Sequence, residues 1–130
     1  MNKERLTQLS EKLLEIPNMI SSHQESVLNL NERSQTISNE INQIESAIKA
    51  EISAQTDENG KKVYSNAEAR EAAFVEVSAQ NTELNSKREE LASIQRNSNM
   101  EKIRIEALGN EQRNIRSILY FFGAAEGEQL

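Results

Sequence analysis

The residue types that carry most enzyme chemistry are thin in this chain. His23 is the only histidine and there is no cysteine, so a histidine metal site or a catalytic triad lacks its second member, and thiolate ligation and disulfides are excluded. The stretch "TDENGKKVYSN" with the Gln55 before it places Gln55, Asp57, Asn59 and Gly60 at positions 1, 3, 5 and 6 of an EF-hand-like frame. Position 1 lacks a carboxylate, however, and position 12 is Asn66 rather than the bidentate glutamate that anchors calcium. Paired carboxylates such as Glu89 with Glu90, or Glu68 with Glu71, fall on polar helical faces with no apolar pocket to raise a pKa. A phosphate-cradling glycine loop, a nucleophile elbow and a zinc-binding helix motif are all absent. The expectation is a non-enzyme with no catalytic residue, metal or cofactor.

Composition agrees with that reading. Of 130 residues, 36% are hydrophobic and 4% aromatic, with one proline and four glycines, which suits long helices better than a round core. The net charge is -6 and the 15 basic residues are scattered, so direct nucleic-acid binding through phosphate neutralisation is disfavoured. No apolar run approaches the length of a membrane span, and the charged start "MNKERLTQLSEKLL" does not resemble a secretory leader. A cytoplasmic protein without membrane contact is the default expectation.

Heptad periodicity organises what remains. With Leu6 at a and Leu9 at d, eleven of the fourteen seam positions from Leu6 to Glu51 are aliphatic, the exceptions being His23, Ser34 and Glu51. Helix is expected over 2–54, with a kink near Pro17 or a break at which that residue starts a second helix. The tip loop takes 55–65, a second helix 66–122 and an acidic tail 123–130, all within one domain of residues 1–130. Ser65 as N-cap with Glu68 forms a capping box behind a Tyr64 staple, and Gly123 is placed to end the second helix.

A single antiparallel register pairs Leu13 with Leu108, Ile16 with Ile105, Leu30 with Leu91 and Ile44 with Val77. It also puts the polar interruptions into shared layers, His23 with Ser98 and Ser34 with Lys87, which lowers the cost of burying them. Three layers stay mixed, Ile20 with Glu101, Ile41 with Gln80 and Leu9 with Gln112. As a layer residue, His23 would be better neutral, so mild loosening on acidification is expected. The register centres on Gly60 and Lys61, where Asn59-Gly60 is a hairpin signal, and the flanks can form either a short β-ribbon or an irregular loop. The predicted fold is therefore all-α, a long antiparallel two-helix coiled-coil hairpin.

One seam is a thin core for so many residues. Apolar residues lie off it, including Leu14, Met19, Leu28, Ile52, Phe74, Val75, Met100 and Ile103, together with the run "SILYFF". Self-association into a helical bundle, with a dimer favoured, and docking of a protein partner are expected. Ile118, Leu119, Tyr120, Phe121 and Phe122 are the candidate interface, as either a C-terminal plug or a docking patch.

The segments "DENGKKVYSNAEAREAAF" and "SKREELASIQRNSNMEKIRIEAL" resemble small coiled-coil hairpin accessory proteins of bacteriophages and prophages. The resemblance covers about the second half and implies an accessory factor acting near a host or recombination protein, with no catalytic residue to carry over. Two other classes fit the plan of the chain. One is a prefoldin-like chaperone, which would need longer tip strands. The other is an acidic nucleic-acid mimic, which the interspersed basic residues disfavour.

Overall fold

The computed structural model describes residues 2–128. Among the described residues the fold is all-α, with three helices: α1 (Lys3–Ala54), α2 (Ala67–Gln80) and α3 (Thr82–Glu128). Asn2 caps α1 by accepting the Arg5 N–H at 2.8 Å. The helix then runs unbroken through Pro17, so no second helix begins there. Pro17 forfeits a single backbone bond, to the carbonyl four residues earlier, while Ile16 beside it is completely buried.

The chain gathers into two compact units, residues 1–30 with 97–130 and residues 31–96. In the first, α1 and α3 meet antiparallel, with Lys12 on Glu111 and His23 on Glu101. Its core is Leu9, Ile16 and Ile115, with Leu13, Ile20, Leu108, Ile118 and Leu119 packed against them. In the second, Arg33 meets Glu90, Lys87 meets Glu40, and Lys49 lies over the Phe74 ring. Its buried positions include Ile37, Ile41, Ile48, Ala73, Leu84 and Ile94, all on the sequence-derived seam.

Toward the tip the buried stripe leaves the predicted positions. Ile52 is buried where the heptad names Glu51, which is exposed, and Ser78 is buried where it names Val77, which is 42% exposed. An α-helix turns 3.6 residues rather than 3.5, so a stripe drifts by about 20° per heptad unless supercoiling absorbs it. By the last turn of α1 the next residue along, an isoleucine, takes the inward place. Ile52, expected off the seam, is accordingly buried; Phe74, also expected off it, is half-buried beside Ala73, which keeps its seam position.

Local capping accounts for two further differences. The N-cap of α2 is Asn66, which accepts the Ala69 N–H at 2.8 Å, rather than Ser65. Moving the cap by one residue removes Glu68 from the capping-box position and Tyr64 from the staple position. The expected second helix is divided at Asn81, whose extended backbone ends α2 and whose side chain accepts the Leu84 N–H at 2.8 Å to start α3. Asn85 Nδ2 closes the junction by donating to the Ala79 carbonyl at 2.9 Å. At the other end α3 continues through Gly123 to Glu128, because Gly123 lacks the positive φ of a C′ residue. The expected helix end at 122 and the tail starting at 123 are corrected to that extent.

The tip is one isolated antiparallel bridge, Thr56 with Lys62, rather than a ribbon. Asp57 organises it: its carbonyl accepts from Gly60 N–H at 3.1 Å, and its Oδ1 accepts from Asn59 and Lys61 N–H at 2.8 and 3.0 Å. Only Gly60 has positive φ, at 77°, so the reversal is a four-residue turn closed by a left-handed glycine. It is not a two-residue Asn-Gly turn, which would need positive φ at both residues.

Candidate functional site

The C-terminal apolar run belongs to the first unit, and its five candidate residues divide by environment. Ile118 and Leu119 are half-buried against the Leu9–Ile16–Ile115 cluster. Tyr120 and Phe121 are 81% and 67% exposed, and Phe122 is half-buried, edge-on to Phe121 with ring centroids 5.2 Å apart. Helical geometry explains the division, since residues 115, 118, 119 and 122 share one face and 120 and 121 point away from it. The aliphatic pair ties the run to the core while the two aromatics face water. Leu14, Leu28 and Ile103 add exposed apolar surface to the same unit.

The polar residues of the predicted seam are placed differently from the expected layers. His23 Nδ1 lies 2.5 Å from Glu101 Oε2, and Arg104 Nη1 donates to the second oxygen of Glu101 at 2.8 Å. The register had paired His23 with Ser98 and left Glu101 opposite Ile20. A carboxylate on the next turn outcompetes a hydroxyl because its negative charge makes it the stronger hydrogen-bond acceptor. Ser98 is buried, with its Oγ unpartnered among the described residues. The His23 bond, helped by Arg104, holds the Glu101 carboxyl below the ordinary carboxylate value. The expected pairing of His23 with Ser98 is thereby corrected: the ring takes the Glu101 carboxylate as its partner.

Lys87 likewise donates to Glu40 Oε2 at 2.7 Å rather than sharing a layer with Ser34, which is half-buried. That hydrogen bond, joined by the charges of Glu40, Glu83 and Glu90, raises the Lys87 pKa. Among the described residues no three His, Cys, Asp or Glu side chains are grouped to hold a metal ion, and no helix is long and apolar enough to cross a membrane.

The second unit contains a feature that heptad reasoning missed. A cavity of about 260 Å³, open on one side, lies between the last turns of α1 and the first turns of α2, lined by Lys49, Ile52, Ser53, Ala67, Arg70, Glu71 and Phe74. The visible signal was Phe74, an aromatic at an apparently off-seam position. Comparison of the chain with protein-family models, curated proteins and solved structures finds no match.

Proposed function

We propose that this chain is a non-enzymatic interaction module: an antiparallel coiled-coil hairpin that self-associates into a helical bundle, with a dimer favoured, and docks a protein partner. The observation that carries the reading is the exposure of Tyr120 and Phe121 directly beside Ile118 and Leu119, which anchor the same helix on the core of their unit. Large aromatics on a rigid element lose little conformational entropy on burial and dominate interface energetics. The proposal extends to an accessory factor of a bacteriophage or prophage that modulates a host or recombination protein, in keeping with the residues of its second half. The chaperone reading draws no support from a tip with one bridge, because a barrel needs strands.

The test is the double substitution Tyr120→Ala and Phe121→Ala, which leaves Ile118 and Leu119 in place. Light scattering after size exclusion is expected to give twice the chain mass for the wild type and a lower mass, or a dimer weakened by at least about tenfold, for the variant. A wild type that is monomeric at tens of micromolar removes the self-association, and a variant that dimerises like the wild type removes this patch from the interface.

A further inference from the structure

We propose that the cleft between α1 and α2 in the second unit is a binding site for a carboxylate carried on a compact apolar body. The inference goes beyond the interaction reading and uses none of residues 118–122, so either can fail without the other.

The cleft has two surfaces of different chemistry. Ile52, 5% exposed, and Phe74 supply apolar lining. Lys49 and Arg70 supply charge, with the Lys49 ammonium 4.7 Å from the centroid of the Phe74 ring. Arg70 donates one of its five N–H groups to the Tyr64 carbonyl, a long bond of 3.4 Å that positions the guanidinium and leaves donors over. The ion pairs of the described residues include neither cation, although acids outnumber bases 21 to 15 in the chain. An unpaired cation over an aromatic face beside a second cation suits an anion whose body stacks on that face. Ala67 brings in the first turn of α2, which adds the partial positive charge of a helix start.

The lining also selects among anions. Glu71 faces the same cleft, so the fixed charge is two positive against one negative. That balance favours a monoanion, since a phosphate dianion would meet the Glu71 carboxylate as well as the cations. The volume, about 260 Å³, fits a ligand with one ring or a branched aliphatic body and excludes a nucleotide held whole. Such a carboxylate is found on free small acids and at the C-terminus of a peptide ending in an apolar residue.

Two-dimensional NMR of the full chain tests this with 3-phenylpropionate as the free acid, N-acetyl-Gly-Gly-Phe as the peptide end and 3-phenylpropanamide as the uncharged control. Saturable shifts at Ile52, Ser53, Ala67 and Phe74 with either acid, and none with the amide, support the site, and the tighter acid names the source. Lys49→Gln and Arg70→Gln are each expected to weaken binding by about tenfold, the size of one charge-assisted hydrogen bond. Lys49→Gln leaves the Arg70–Tyr64 contact intact, so it reads the charge effect even if Arg70→Gln perturbs the fold. Equal shifts with the amide, shifts outside the cleft, or no saturable shift up to about 10 mM acid would overturn the proposal.

Discussion

Leu84 and Val77 are both seam positions in the heptad sequence, seven residues apart, yet the structure gives them opposite environments. Leu84 is completely buried in the first turn of α3, and Val77 is 42% exposed on α2. Replacing Leu84 by alanine removes three buried carbons, worth about 2.4 kcal/mol at about 0.8 kcal/mol each. The cavity left behind raises the cost to about 3 to 4 kcal/mol. Replacing Val77 by alanine removes two carbons that are little more than half buried, a loss of about 0.9 kcal/mol, and alanine's better helix propensity returns about 0.5 kcal/mol, so the net cost is within about 0.5 kcal/mol of zero. Urea unfolding followed by circular dichroism, at one fixed protomer concentration and with unchanged slope, measures both. A Val77→Ala cost within about 1 kcal/mol of the Leu84→Ala cost would mean that the second helix is continuous and in heptad register. The break at Asn81 would then be wrong.

Three further outcomes follow from the local geometry. Because Glu101 is held below its ordinary range, first by His23 and then by Arg104, its contribution to stability is present above the ordinary carboxylate value of 4.5 and is lost as pH falls through the lowered one. The melting temperature should therefore not drop between neutral and mildly acidic pH, and Glu101→Gln should flatten the fall at lower pH. A drop already between neutral and mildly acidic pH would refute the assignment of the acid-sensitive step to Glu101. Asn66→Ala should cost about 1 kcal/mol by loss of the α2 cap, while Ser65→Ala stays within about 0.5 kcal/mol, both by denaturant titration; the reverse order would place the cap at Ser65. Gly60→Ala should cost about 1 to 2 kcal/mol through its φ of 77° alone, since an added Cβ meets nothing within 4 Å. A neutral Gly60→Ala would show that the turn relaxes to negative φ.

What could be read from the chain divides along one physical line. Aliphatic periodicity reports burial summed over many residues, and it located α1 and most of the α3 seam because Leu9, Ile16, Ile41, Leu84, Ile94 and Ile115 all turn inward together. Polar residues obey no such sum. His23 and Lys87 choose partners by the reach and charge of individual side chains, so each bypasses the hydroxyl at its own level for a carboxylate nearby. Helix ends are decided by still smaller differences. Ser65 and Asn66 are near-equal caps on adjacent residues, and Asn81 competes with the helix through its own side chain in a stretch whose apolar pattern is weak. The same weakness hid the cleft. With Ile52 inward in place of Glu51 and Phe74 half-buried beside Ala73, Lys49 and Arg70 are left beside an apolar wall and outside the ion pairs found elsewhere. A seam that fits its heptads imperfectly at one end thus creates the mixed surface on which a ligand can be recognised, and restoring the heptad there by exchanging Glu51 with Ile52 should abolish binding of the acid probes.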